Sequence, residues 1–340
     1  MLQQHRWSSL PDDIIAKIIS HIDFPRPRRS TIEIFATTFK VNILRNYPSD
    51  GATFNISEFW KILDNLFTLF TTPSINTFSI FLDPTLYEDP CVRPILNSWA
   101  HRLRSRNTQH ITIESSYYST FGDRVCPPSV FQIQSLVSLH LSRANSVSHP
   151  VVLPNLTELR LDSVNHEFLG RLLSSCPSLE DLSFSLNDKP TGTNPLVSIS
   201  SRTLKRLRIT IYKWLVSGDI EVIIDAPTLD YLYFKVNSPL LSMRMIGSIS
   251  NIKSIELIGS VSMTMIYSSP SKTIFPFVTK LTLSVSSSKV FEQHMLPYYF
   301  PNLELLVLSL IGACDNTMPY NDWDIKGRFV LVEYVKHLEL

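Results

Sequence analysis

The chain has 340 residues, with 31 lysines and arginines against 30 aspartates and glutamates, for a formal net charge of +1 at pH 7. That length supplies a sizeable core, as one large domain or two small ones. The balanced charge argues against a nucleic-acid or membrane surface as the main partner.

Residues 1–50 begin with a helix signal. Ser9 or a following acid caps it, Pro11 suits the first turn, and Asp12 and Asp13 complement the positive helix end. Ile14, Ile15, Ile18, Ile19 and Ile22 then form a wide apolar stripe. Position by position, Leu10-Pro-Asp-Asp-Ile14-Ile15-Ala-Lys-Ile18-Ile19-Ser-His-Ile22 resembles the first half of an F-box, and Trp7 fits the same pattern. The resemblance implies docking onto the Skp adaptor of a cullin-type ubiquitin ligase, through Trp7, Leu10, Pro11, Ile14, Ile15 and Ile18. The alternative is a helix packed on its own repeat domain. The second half departs from the pattern and lacks the usual tryptophan. There, Ser30 or Thr31 is expected to cap a second helix through Ile34, Phe35 and Phe39. Arg26, Arg28 and Arg29 read as a solvated turn.

Residues 51–130 form a bridge. Pro48 to Gly51 is a turn. Ser57 to Phe70 has apolar residues at i, i+3, i+4 and i+7 and predicts a helix capped by Ser57. Ile75 to Phe81 alternates like a strand. Pro94 to Arg104 predicts a helix with Trp99 and Leu103 inward and His101, Arg102, Arg104 and Arg106 outside. Ile111 and Ile113 mark another strand. This rhythm predicts atypical first repeats that cover the open end of the core.

From residue 131 to 340 one phrase recurs: an apolar residue, two others, then apolar-x-apolar. Copies begin at Leu136, Leu156, Leu179, Leu204, Leu229, Ile252, Val278, Leu303 and Val335. The two closing apolar residues point to one face of a strand, because the side-chain period is two. Phe168, Leu169, Leu172 and Leu173 form a short helix between two copies, stopped by Cys176-Pro177. Strand, turn, helix and strand at this interval is a leucine-rich repeat. Degenerate copies lie at Ile75-x-x-Phe78-x-Ile80 and Thr108-x-x-Ile111-x-Ile113. Several copies share a lead-in, such as Leu153-Pro154-Asn155 and Ala226-Pro227-Thr228, where proline ends the preceding segment.

The order of parts also resembles the plant F-box/leucine-rich-repeat group of the FBD type, most specifically around 153–184 and 224–234. Many members carry a further C-terminal domain. This sequence stops at Leu340 on a repeat phrase, so that domain is expected to be missing or cut off.

Nothing in the chain marks an active site. No phosphate loop, Gly-x-Ser-x-Gly elbow or His-Glu-x-x-His occurs. Asp322 with Asp324, and Asp219 with Glu221, read as solvated carboxylates, and His294 as a loop residue. Cys91, Cys126, Cys176 and Cys314 match no zinc or redox spacing and read as reduced thiols. No cofactor or metal is expected. Asn55-Ile-Ser57 and Asn155-Leu-Thr157 fit the glycosylation pattern by chance. The N-terminus lacks a signal-peptide run, and no stretch is long enough for a transmembrane helix.

The expected fold is therefore α/β: a short α-helical F-box-like N-terminus, then a curved leucine-rich-repeat solenoid with a mostly parallel sheet. Residues between the core positions fall on the concave strand face. There Arg160, Asp181, Arg206, Arg208, Tyr231, Tyr233 and Lys235 are the candidate target-binding residues, since tyrosine and arginine are enriched at hot spots. The resemblance implies a non-catalytic substrate-recognition subunit of a Skp–cullin–F-box ubiquitin ligase, in the cytoplasm or nucleus, with an unnamed target protein as partner and no nucleic acid or membrane. The alternative is an interaction scaffold that has lost adaptor binding.

Overall fold

The computed structural model describes residues 31–35, 38–43, 56–69, 73–82, 92–115, 128–142, 150–164, 166–186, 196–211, 220–236, 241–245, 251–259, 275–286, 299–311 and 329–333. The chain divides into two compact units between Asp162 and Ser163. The adaptor-docking candidates Trp7, Leu10, Pro11, Ile14, Ile15 and Ile18 lie outside the described residues. So do the last phrase at Val335, three of the cysteines (Cys91, Cys126 and Cys314), Asp219, His294, Asp322 and Asp324.

The first unit holds β1 (Thr31–Phe35), β2 (Thr38–Ile43), α1 (Ile56–Leu69), β3 (Thr77–Leu82), α2 (Val92–Ser105), β4 (His110–Ser115), a 3₁₀ turn (Pro128–Gln132), β5 (Ser138–Ser142) and most of β6 (Glu158–Val164). Its strands lie side by side in chain order; β1 pairs antiparallel with β2, and all later pairs are parallel. The inward residues are those of the phrase. Ile75, Phe78 and Ile80, then Ile111 and Ile113, then Leu136, Leu139 and Leu141 are all buried. Both degenerate copies thus turn their apolar residues into the core from neighbouring parallel strands.

The helices fall where the apolar spacing places them, and α2 turns Trp99 and Leu103 inward. α1 starts at Ile56, so Ser57 lies within the helix and not at the capping place ahead of it. An aromatic cluster joins helices to strands. The Trp99 ring lies 5.0 Å from Phe67, 5.8 Å from Phe78 and 6.0 Å from Trp60, and its Nε1 donates a 2.6 Å hydrogen bond to Asp64 Oδ1. Asn107, at φ 53°, ends α2 in the left-handed turn that closes a helix C-terminus, and Thr108 N returns to Leu103 O.

One sequence expectation fails here. Thr31–Phe35 and Thr38–Ile43 are strands, not a second helix. Their β-branched and aromatic content favours a pleated surface, and β2 gains a parallel partner in β3 with Phe39 fully buried.

The second unit holds α3 (His166–Ser174), β7 (Asp181–Leu186), β8 (Leu196–Ser200), β9 (Arg206–Ile211), β10 (Ile220–Asp225), β11 (Tyr231–Val236), β12 (Leu241–Met245), β13 (Ser254–Gly259), β14 (Lys280–Ser286), β15 (Leu305–Ile311) and β16 (Phe329–Glu333). The phrase strands run β7-β9-β11-β13-β14-β15, parallel throughout, with β16 antiparallel beyond β15. Registers are unshifted: Leu182 faces Leu207, which faces Leu232, which faces Ile255. The phrase residues stack into one buried ladder. This is the leucine-rich-repeat solenoid with a mostly parallel sheet that the periodicity predicts.

A second parallel sheet, β12-β10-β8, was not foreseen. After β7, β9 and β11 the chain passes through β8, β10 and β12 respectively, in stretches to which the phrase assigns no element. Val197, Ile199, Val222 and Ile224 are buried, alternating with exposed Ser198, Ser200 and Asp225. β-branched residues at period two favour strand over helix there.

A polar ladder backs the sheet. At five phrases the Asn or Thr just ahead of the phrase donates a side-chain hydrogen bond to a carbonyl of the preceding repeat. Asn155 Nδ2 reaches Gln134 O (2.9 Å), Thr203 Oγ1 Leu179 O (2.8 Å) and Thr228 Oγ1 Leu204 O (2.9 Å). Asn251 Nδ2 reaches Pro227 O (2.6 Å) and Asn302 Nδ2 Pro276 O (2.7 Å). At the ninth phrase from Ile75, the one starting at Val278, this place is held by Phe277, which is 56% exposed.

Candidate functional site

Each phrase strand turns its apolar residues inward and its alternate residues outward. In the second unit the unshifted register aligns the outward residues in columns. One runs Asp181, Arg206, Tyr231, Ser254, Lys280; the next runs Ser183, Arg208, Tyr233, Glu256, Thr282. Six of the seven target-binding candidates fall in this unit, and five form one connected group.

Asp181 is its anchor. The residue is buried, and Arg206 Nε donates to its Oδ2 at 2.7 Å while Arg208 Nη1 donates to its Oδ1 at 3.0 Å. Asp181 thus works by holding two arginines, not by presenting its own carboxylate. Arg208 then lies over the ring of Tyr231, 5.2 Å from the centroid, a cation–π arrangement. The Tyr231 hydroxyl donates to Glu256 Oε2 at 3.0 Å. Burial, then the charge of Glu256 and the hydrogen bond to it, pushes the Tyr231 phenol up to about 12. Tyr233, half-buried, is raised chiefly by burial, then by Glu256. Both phenols are neutral donors at any physiological pH. Lys235 follows on the same face of β11. At the rim, Lys205 pairs with Glu180 at 2.9 Å.

Two arginines fixed by one carboxylate, beside two neutral tyrosines, give a rigid surface with donors in excess of acceptors. Arg206 and Arg208 keep side-chain exposures of 49% and 40%, so part of each guanidinium faces solvent. Held side chains lose little rotamer entropy on binding. Glu256 was not singled out from the sequence. The phrase puts it on the outward face, and the register, which sets it beside Tyr233 and one place from Tyr231, shows what it meets.

Arg160 is placed elsewhere. It lies in the first unit, where its Nε is 3.7 Å from Asp162 Oδ1. Asp162 in turn accepts from His140 Nε2 at 3.2 Å, and His140 Nδ1 lies 2.6 Å from Glu114 Oε1. Among the described residues no three His, Cys, Asp or Glu side chains converge to hold a metal ion, and no helix is long and apolar enough to cross a membrane.

Residues 96–308 match the family model described as "FBD-associated F-box protein At5g56370, LRR repeats". The chain belongs to the plant F-box/leucine-rich-repeat family. The F-box/FBD/LRR-repeat protein At5g25850 of Arabidopsis thaliana is 30% identical over 237 residues, covering 67% of this chain and 46% of that protein. The FBD-associated F-box protein At4g10400 of the same plant is 28% identical over 232 residues, 66% of this chain and 54% of the relative. The F-box/LRR-repeat protein At4g14103 is 26% identical over 360 residues, 89% of this chain and 91% of the relative. The chain spans about half the length of the curated F-box/FBD/LRR-repeat relatives it matches. No solved structure matches it. The matched stretch of this F-box/leucine-rich-repeat protein contains every strand of both charged groups, from β4 to β13.

Proposed function

We propose that this chain is the substrate-recognition subunit of a Skp–cullin–F-box ubiquitin ligase, working in the cytoplasm or nucleus. Trp7, Leu10, Pro11, Ile14, Ile15 and Ile18 hold the Skp-type adaptor. The outward strand face around Arg206, Arg208, Tyr231, Tyr233 and Lys235 holds the target protein. In this reading the chain catalyses nothing: it brings a target to the ligase. Membership of the F-box/leucine-rich-repeat family carries the proposal, and the pre-positioned arginine–tyrosine group supports the choice of surface.

One observation favours a second reading. Thr31–Phe35 and Thr38–Ile43, where an F-box continues as helix, are strands joined to the repeat sheet. On that reading adaptor docking is lost and the chain is an interaction scaffold. A binding titration of the full chain against a plant Skp adaptor separates the two, with a Leu10→Ala/Pro11→Ala double substitution as control. Tight binding that the double substitution removes supports the ligase subunit. No binding by a folded chain leaves the scaffold.

A further inference from the structure

The outward face of the first unit carries a histidine gripped from both sides. His140 stands on β5 with a side-chain exposure of only 14%. Its Nδ1 faces Glu114 on β4 at 2.6 Å and its Nε2 faces Asp162 on β6 at 3.2 Å. A carboxylate only accepts hydrogen bonds, so making both contacts requires a proton on both ring nitrogens. Neutral imidazole carries one. The arrangement is complete only for the imidazolium.

The surroundings agree. Burial pulls the His140 pKa down, but the hydrogen bonds to Asp162 and Glu114 and the charge of Glu114 outweigh it, and the net direction is up; Arg160 opposes this. The other titratable groups facing outward from the adjacent strands are His110 on β4 and Glu158 and Arg160 on β6. On β5 itself Ser138 and Ser142 flank the histidine.

We propose that His140 is a proton-controlled staple across β4, β5 and β6. Protonated, it ties Glu114 to Asp162. Deprotonated, it keeps its proton on Nδ1 for the nearer Glu114 and releases Asp162 to Arg160. The charge of the three groups then changes from −1 to −2, so the face differs between the two states in both charge and arrangement. Because the folded pKa lies above the ordinary value, the stabilisation is fully present below about pH 6.5 and is lost as pH rises through the folded value. The inference stands apart from the ligase reading and from the arginine–tyrosine surface.

The test uses the full chain labelled with ¹⁵N-histidine and two-bond proton–nitrogen correlation spectra across about pH 6 to 9. His140→Gln assigns the resonance; should that variant not fold, Glu114→Gln assigns it by lowering its midpoint. The expected result is an imidazolium pattern for His140 at neutral pH, converting to the Nδ1–H tautomer with a midpoint above that of free histidine. The Tm deficit of the folded variant narrows over the same rise in pH. A midpoint at or below that of free histidine, conversion to the Nε2–H tautomer, or a Tm deficit constant across the range overturns the proposal.

Discussion

Arg208 binds Asp181 through Nη1 at 3.0 Å and lies over the ring of Tyr231, 5.2 Å from its centroid. One guanidinium thereby joins three strands. The carboxylate beneath it is buried and accepts from Arg206 as well, so the positions of both arginines depend on one side chain.

Replacing Asp181 by alanine is expected to cost about 1–2 kcal/mol, read as a lowered urea midpoint, because half-exposed arginines recover water in part. The larger effect is expected on target capture, if this face is the one that holds the target. Arg208→Ala/Tyr233→Ala is expected to abolish target capture with an unchanged circular dichroism spectrum. Retained capture by the folded double variant would refute the assignment of this face.

Trp99 is 1% exposed and touches Phe67, Phe78, Phe39 and Trp60. Trp99→Ala should therefore destabilise the first unit by about 3–5 kcal/mol. Trp99→Phe keeps most of the packing but leaves Asp64 without the indole N–H, so its loss should be smaller. Chemical denaturation of both variants checks the order; equal losses would show that packing is not the main contribution.

The lead-in ladder gives a paired prediction. Asn251→Ala deletes the bond to Pro227 O and should cost about 0.5–1.5 kcal/mol. Phe277→Asn should act in the opposite direction, raising Tm by restoring the donor that the other lead-ins carry and removing an exposed ring. A thermal melt of each decides. A lower Tm for Phe277→Asn would mean that the phenyl ring has a structural role of its own.

Cys176 is 3% exposed, and burial pushes its thiol up to about 12. The thiolate is the reactive form. Native protein at pH 8 should leave Cys176 unlabelled by iodoacetamide, while urea-unfolded protein should label it, as read by peptide mass spectrometry. Rapid native labelling would contradict the burial.

The phrase strands were legible because apolar-x-apolar at a repeating interval satisfies only one geometry. The return strands β8, β10 and β12 were not, since short runs such as Leu196–Ile199 fit a buried helix segment equally well by period. Ile34, Phe35 and Phe39 misled for the same reason: their spacing suits one helix face, yet pairing of β2 with β3 decides the outcome. At the site, the sequence placed Arg206, Arg208, Tyr231 and Tyr233 on one face. It did not say which group holds which. Asp181 lies 25 and 27 residues from its two arginines, and Glu256 25 from Tyr231, so these contacts exist only once the register is known. Asn155, Thr228 and Asn302 were read as lead-ins only through the proline beside them, and Thr203 and Asn251, which have no such proline, were not read at all.

The unshifted register has a consequence for the kind of shape this surface can read. Its columns repeat at the strand separation, about 4.8 Å, whereas same-side residues of an extended peptide recur at about 6.7 Å. A linear segment laid across the strands falls out of phase after one or two contacts. A helix, with turns about 5.4 Å apart, keeps step for longer. If this face holds the target, the row of Arg206, Tyr231 and Ser254 would therefore suit a folded partner presenting a ridge better than a threaded tail reading one residue per repeat.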